Sequence, residues 1–580
     1  MMTTSDAAHR RAPVLLLAPI IFGVVLVKTA WLSDDAFITL RTVVNWRHGF
    51  GLVWNVGERV QAYTHPLWML ALSAVHFVSH ETYFTTIFLS IALSLAAFFI
   101  LIARLATGPA AALLVATAAI FSKAFVDYST SGLENPLTHL LLALFFWIYF
   151  TRENRSHPLL WLALWGGLIG VNRLDALLLI LPALAWATWQ ARKQRGAAAA
   201  LLIGFTPLIL WELFALFYYG FPFPNTAYAK LNTGLPMAEV LRQGSLYLLH
   251  SFGSDPLTVI VLIVGLLLPF VDALQPENTT RANRMAARAS ALGIGLYLLY
   301  IVWIGGDFMM GRFLSAPFFC ALVIVAQQPL DRRPRWLQGA LWLGIMLIGL
   351  WNPLQAPVLS TARYDVGYVD ARGIADERGH YYQRYGLLTA NRANRFIEEG
   401  RVVGTPDPQN FAHCGIGLRG FSASPYTHIV DFCGLADPLL ARLPAAYDPD
   451  WRVGHPIRDV PSGYLGTLRT GQPQLTDPDL AAFYAHLQTV VRGPLFSRER
   501  LREIWRFNRG AYAHLIDVSR YRYPQRRELT ATALALSLMP PEDQPDAGGV
   551  PFSAHGLRIT LETPHTARFL VLGLATDLLT

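Results

Sequence analysis

Two adjacent carboxylates, Asp34 and Asp35, follow the first long apolar run. Like charges side by side repel, and beside a low-dielectric medium one of them has its pKa raised. A carboxylate in that state can take a proton from a substrate hydroxyl as a general base. The competing reading is a helix start, where Asp serves as a cap and first-turn residue. Lys28 lies in the last turns of the same apolar run. It either snorkels outward or meets a lipid phosphate.

The segment from Gly49 to Pro66 adds the flat faces of Trp54 and Tyr63 and the polar groups of Asn55, Glu58, Arg59, Gln61 and His65. Aromatic faces beside paired donors and acceptors suit sugars. The same residues also suit a structured loop with aromatic anchors at a membrane interface. Glu134 stands at a helix start as a cap or a hydroxyl ligand. Arg173 and Asp175 interrupt two apolar runs, as a structural pair or as an anion holder. Asn225 and Lys230 follow two prolines that stop another run, and Lys230 is a phosphate ligand or a snorkelling flank. Asp307 and Arg312 fall in Gly305-Gly306-Asp307-Phe308-Met309-Met310-Gly311-Arg312-Phe313. Its glycines permit close backbone approach. Arg312 opens a helix, where its charge and the helix N-terminus both favour an anion. A tight hairpin with an Asp–Arg pair is the alternative.

The elements that position these residues follow from composition. The 580-residue chain is 53% hydrophobic and 15% charged, against about 25% charged in soluble proteins. That excludes a soluble enzyme and a disordered chain. A hydrocarbon core about 30 Å thick needs about 20 helical residues. Eleven apolar runs between Val14 and Trp351 read as spans. Pro66–His80 is shorter and carries His76 and His80, which suits an interfacial or re-entrant helix. Met237–Phe252 reads as an amphipathic interfacial helix. With the N-terminus inside, the clusters at Arg10–Arg11, Arg152–Arg155, Arg192–Arg195 and Arg332–Arg335 fall on the cytoplasmic side. The net charge of +8 and the pI of about 9.4 therefore report orientation and not nucleic acid. All the candidate residues fall on the opposite face.

From about residue 352 the spanning runs stop. Residues 1–351 read as a transmembrane catalytic domain and residues 352–580 as an extracytoplasmic mixed α/β domain. Arg498–Gly510 looks helical, and His555–Leu579 alternates like short strands. Cys414 and Cys433 form a disulfide if that domain lies outside the cytoplasm, or remain two free thiols. No Walker A loop or H-E-x-x-H motif is present, so a nucleotide-driven pump and a zinc protease lack their parts. The residues demand no cofactor or metal, although a divalent ion is compatible with them.

The Asp-Asp pair, G-x-G-L-V-x-N-x-G-E-R-V-x-x-Y-T, S-G-L-E, R-x-D, P-N-T-x-Y-A-K and G-G-D-F-M-x-G-R-F together resemble the AftB-like terminal β-(1→2)-arabinofuranosyltransferases. These belong to the GT-C glycosyltransferases, which use lipid-linked sugars. Gly373–Gly379 and Gly454–Tyr464 also fit, so the resemblance covers most of the chain. It implies a GT-C membrane fold and transfer from a polyprenyl-phosphate donor, of the decaprenylphosphoryl-arabinofuranose type, to a glycan hydroxyl outside the inner membrane. It makes Asp34 the base with Asp35 assisting, and Lys230, Arg312, Arg173 and Lys28 ligands of the donor phosphate. Glu134, Asn225 and Asp307 would bind hydroxyls. Gln61-Ala62 stands where the family has an acid–glycine pair, and His65 where it has Asn. These departures bear on sugar and acceptor. The alternatives are another GT-C sugar transferase, a pilin or lipopolysaccharide acceptor, a lipid-linked-sugar transporter, and an inactive glycan-binding protein.

Overall fold

The computed structural model describes residues 4–271, 280–354, 356–360, 369–370, 373–389, 410–446, 451–521, 528–529 and 558–559. Every apolar run read as a span forms helix: Thr4–Thr29, Tyr83–Ile100, Pro109–Phe121, Asn135–Thr151, Pro158–Asn172, Leu177–Ala191, Ala197–Gly204 with Thr206–Tyr218, Pro256–Leu267, Arg281–Trp303, Arg312–Ala326 and Arg335–Leu350. Among the described residues, four helices are long and apolar enough to cross a membrane, or up to six if each of two bent pairs is one span. Outward-facing Leu210, Leu213 and Leu299 are exposed, which suits lipid and not water. The chain is a helical multi-pass membrane protein.

Small residues let these helices approach. A Cβ on Gly293 would lie 2.0 Å from the Leu179 carbonyl oxygen, so Arg281–Trp303 crosses Leu177–Ala191 at backbone contact. Pro66–Ser79 is a separate helix of 14 residues that ends on left-handed His80. Met237–Ser254 is bent by 115° from the helix that follows. Asp255 caps that following helix, accepting from the Thr258 hydroxyl at 2.6 Å and from Ala124 N at 2.9 Å.

Two compact units are present. The first comprises Met1–Ala445 and Arg452–Ile516, so much of the polar C-terminal third packs with the membrane helices. It contains a parallel strand pair, Asn410–His413 with His428–Asp431, the disulfide Cys414–Cys433, and the helices Pro478–Arg492 and Arg498–Asn508. Tyr83 donates to the Tyr385 carbonyl, and Leu387 N to that of Ala30. The second unit, Ala446–Trp451 and Asp517–Thr580, shows the parallel pairing of Glu528–Leu529 with Arg558–Ile559. The rest of the strand pattern expected over His555–Leu579 lies outside the described residues.

Candidate active site

The helix Asp34–Arg47 begins where Ser33 accepts from Ala36 N, and two acids occupy its first turn, where the helix dipole favours negative charge. The entry is fixed from both sides: Trp31 Nε1 donates to the Asp127 carbonyl at 2.8 Å, and Ser33 N to that of Ser131 at 2.9 Å. The two carboxylates then part. Asp34 accepts from Gly417 N at 3.1 Å and Leu418 N at 2.8 Å. Asp35 turns toward Arg312, with 3.7 Å between Oδ2 and Nη1, and its side chain stays 25% exposed. Burial raises the Asp34 carboxyl above its usual range, the Leu418 N–H opposes this, and Asp35 adds to it.

Gly415 to Gly420 carries G-x-G-x-x-G spacing, contrary to the sequence reading that no such fingerprint is present. In a dinucleotide fold those backbone N–H groups would face a pyrophosphate. Here Asp34 fills them.

Arg312 is the hub. Its Nη1 lies 3.8 Å from Asp307 Oδ2, and its Nη2 lies 3.6 Å from Glu134 Oε1. The loop Gly305–Gly311 is zipped to the C-terminal segment: Ala375 N donates to Phe308 O at 2.7 Å, and Met310 N to Ala375 O at 3.0 Å. Gly306 is required at its turn, because φ is +78° and a Cβ would meet the Tyr247 side chain at 2.6 Å. This zipper brings Glu377 into the field of Asp307. Lys230 is exposed and lies close enough to Asp307, Arg312, Asp35 and Arg173 to feel their charges. Asp307 Oδ2 and Arg312 Nε are buried without a hydrogen-bond partner. A bound hydroxyl would satisfy both, donating to Asp307 Oδ2 and accepting from Arg312 Nε. Burial raises the Asp307 carboxyl, with Arg312 and Lys230 opposing.

Glu134 is wholly buried and already engaged, so it offers nothing to a sugar hydroxyl. Arg173 Nη1 lies at 2.5 Å, and His65 Nδ1 at 3.0 Å on the other oxygen. Burial pushes its carboxyl up, but Arg173, Arg312 and His65 outweigh this and hold it well below the usual range. His65 spends its second nitrogen on Thr39 at 2.7 Å. Arg173 also makes a two-pronged pair with Asp175, at 2.7 and 2.8 Å. It therefore supports the cluster electrostatically, with its guanidinium largely consumed. Lys28 is elsewhere, donating to the Val358 carbonyl at 3.2 Å, and is not brought to the Arg312 cluster.

The Gly49–Pro66 loop turns inward, contrary to the sugar-binding reading. Trp54 is fully buried beneath the Arg41 guanidinium at 4.8 Å and against Gly420. Asn55 pairs with both backbone groups of Ile429, at 3.0 and 3.2 Å. Glu58 binds Arg492 at 2.5 Å and faces His428 at 3.9 Å. Arg59 donates to the Gly493 carbonyl, Gln61 to that of Tyr63 at 3.2 Å, and Tyr63 shares a hydrogen bond with Tyr219 at 2.7 Å. Asn225 is used in the same way, donating to the carbonyls of Gly434 and Asp437 at 2.9 Å each. Asn55, Glu58, Arg59 and Asn225 clamp the C-terminal segment onto the membrane half, while Gln61 and Tyr63 bond within that half.

Sequence reasoning passed over Glu377. This buried carboxyl opens the helix Glu377–Tyr385. Burial, then repulsion from Asp35 and Asp34, pushes it well above its usual range, with Arg452 opposing. Its helix is anchored by Asp376 on Lys123 at 3.2 Å and by Arg378 on Asp127 at 2.6 Å. His455 also adjoins the cluster. Burial lowers it to about 4, with Arg452 and Lys230 adding, so it is neutral at physiological pH. The signal for both was the acid-rich Gly373–Gly379 and His-bearing Gly454–Tyr464 segments. Among the described residues, Cys414, Asp431 and Cys433 are close enough to hold a metal, but their two sulfurs are spent on the disulfide.

No family model matches the chain. It is 31% identical over 435 residues to a terminal β-(1→2)-arabinofuranosyltransferase of Mycobacterium tuberculosis, covering 66% of this chain and 67% of that protein. The chain belongs to the terminal β-(1→2)-arabinofuranosyltransferase family. A second arabinofuranosyltransferase of this description, from Corynebacterium glutamicum, is 26% identical over 579 residues, 80% of each chain. Among solved structures, ArnT from Cupriavidus metallidurans bound to undecaprenyl phosphate is similar with a TM-score of 0.45 and 11% identity, over 72% of this chain and 85% of that one. As a member of the arabinofuranosyltransferase family, the protein is a membrane glycosyltransferase. The cluster around Arg312 brings carboxylates and cations together.

Proposed function

We propose that the protein transfers an arabinofuranosyl residue, with inversion, from a polyprenyl-phosphate donor of the GT-C type to a hydroxyl of a cell-envelope glycan on the outer face of the inner membrane. The N-terminus is then cytoplasmic and residues 352–580 are extracytoplasmic. The convergence of Asp35, Asp307, Arg312 and Lys230 on one partly open cluster carries this reading.

In this mechanism Asp35 takes the proton of the acceptor hydroxyl. The hydroxyl oxygen attacks the anomeric carbon, and the bond from that carbon to the phosphate oxygen breaks. The pair of electrons leaves with the lipid phosphate. A phosphate is a good leaving group, so no strong general acid is needed. Arg312 and Lys230 stabilise its charge, as fixed cations aimed at a departing anion do. Asp307 and Glu377 hold sugar hydroxyls. Inversion requires the base and the leaving group to approach opposite faces of the sugar.

The favoured base is Asp35, reversing the order expected from sequence. Both Asp34 oxygens are committed to Gly417 and Leu418, which makes Asp34 a positioning residue. The test is donor turnover by purified protein supplied with decaprenylphosphoryl-arabinofuranose, with product linkage read by mass spectrometry. Turnover lost in Asp35→Asn and sharply reduced in Lys230→Met supports the proposal. Full activity in Asp35→Asn overturns the base, and no turnover of this donor by the unmodified protein overturns the donor.

A further inference from the structure

The helix Arg498–Asn508 has two unlike faces. Arg500, Glu503 and Ile504 are buried. Arg498, Leu501, Arg502, Trp505 and Arg509 are exposed. Their spacing of three, four, seven and eleven residues puts them on one side of a helix. Phe496, just before the helix, is 82% exposed, Trp505 64% and Leu501 44%. Arg509 lies against the Trp505 ring at 5.4 Å. Such a concentration of exposed apolar side chains among arginines is costly in water and marks a surface that meets something.

The other side of this helix is fastened to the end of a membrane helix. Arg500 donates to the carbonyls of Phe217 and Tyr218, at 2.8 Å each, closing the C-terminal turn of Thr206–Tyr218. Phe496 packs on Phe217 with ring centroids 5.4 Å apart. Asn508 donates to the Gly220 carbonyl at 2.8 Å. Thr206–Tyr218 belongs to a bent apolar pair long enough for a span, and its Leu210 and Leu213 are exposed. The Arg498–Asn508 helix thus packs at the end of a helix whose outward face is apolar and exposed.

We infer that Arg498–Asn508 is an interfacial anchor, with Phe496, Leu501 and Trp505 entering the bilayer surface and Arg498, Arg502 and Arg509 meeting anionic lipid phosphates. Tryptophan is favoured at this depth. Arginine stems lie along apolar surface while their heads reach phosphate. An amphipathic helix with arginines and a tryptophan on one face binds in the interface plane. The occupant is the bilayer that holds the chain's own spans, since the exposed face continues from one of them. The anchor would hold the C-terminal segment at a fixed height above the membrane, along with Asp34, which that segment grips.

The test uses the full-length protein in nanodiscs containing phosphatidylglycerol, with a nitroxide introduced singly at positions 501, 505, 499 and 472. Oxygen measures exposure to lipid, and a water-soluble nickel complex measures exposure to solvent. Labels at 501 and 505 are expected to be severalfold richer in oxygen contact relative to nickel than those at 499 and 472. Exchange of phosphatidylglycerol for phosphatidylcholine, or the combined change Arg498→Gln, Arg502→Gln and Arg509→Gln, should raise nickel contact at 505. Nickel contact at 501 and 505 equal to that at 472 overturns the inference in favour of a solvent- or glycan-facing helix. Shielding from both probes overturns it in favour of a protein partner. An unchanged ratio on lipid exchange overturns the arginine–phosphate contact.

Discussion

Asp35 Oδ2 stands 3.7 Å from Arg312 Nη1, across a gap that a quarter of the Asp35 side chain still opens to solvent. Its neighbour Asp34, one residue earlier, is tied down by two backbone N–H groups from a segment nearly four hundred residues away. A pair that looks symmetrical in sequence is divided into a carboxylate fastened by backbone N–H groups and one that faces Arg312 across a partly open gap.

This division predicts two phenotypes. Asp35→Asn should lower kcat by about 10²–10⁴-fold, the usual contribution of a general base, with little change in thermal stability. Asp34→Asn keeps the shape but weakens charge-assisted hydrogen bonds, each worth about 1.5–3 kcal/mol. It should lower the unfolding midpoint while leaving more activity than Asp35→Asn. Donor turnover beside a thermal melt separates the two.

Glu134→Gln should behave as a structural lesion. The carboxylate is buried between Arg173, Arg312 and His65. Removing one partner of a buried ion pair costs about 3–5 kcal/mol, because the remaining charges stay buried. The expected result is a strong loss of folded yield in detergent. A variant of unchanged melting temperature with only a raised acceptor KM would instead restore the hydroxyl-ligand role.

Glu377 gives a pH signature. Its folded carboxyl is held well above the ordinary 4.5, first by burial and then by Asp35 and Asp34. A carboxyl with a raised folded pKa favours folding below its unfolded pKa and loses that contribution as pH rises toward the folded value. Glu377→Gln removes this loss. The variant should therefore gain stability relative to the unmodified protein as pH rises from about 4.5, as read by melts across a pH series. A pH-independent difference would place Glu377 outside the acid cluster.

The disulfide Cys414–Cys433 closes a separation of 19 residues. Gly417 and Leu418, which hold Asp34, lie inside that loop. The chain-entropy cost of opening a loop of this size is about 3 kcal/mol. A Cys414→Ser, Cys433→Ser variant, or reduction with dithiothreitol, should lower the melting temperature and reduce turnover together. Unchanged turnover at the lower stability would uncouple the loop from the Asp34 position.

The helical membrane architecture, the separate helices Pro66–Ser79 and Met237–Ser254, and the loops that carry charge were legible in the residues alone. The physical reason is that an apolar chain bears a heavy cost for each buried charge, so Asp307, Arg312, Arg173 and Glu134 stand out wherever they occur. The sequence could not determine which polar side chains are spent on the protein itself. Asn55 finds Ile429, Glu58 finds Arg492, and Asn225 finds Gly434 and Asp437, partners hundreds of residues away that leave no local trace. Satisfied and unsatisfied polar groups have the same residue types and spacings. Only the tertiary structure decides between them, because satisfaction is a property of the pair and not of the residue. That is why Trp54 and Asn55 became packing, Glu134 became the centre of an ion cluster, and Asp35 kept the opening toward Arg312.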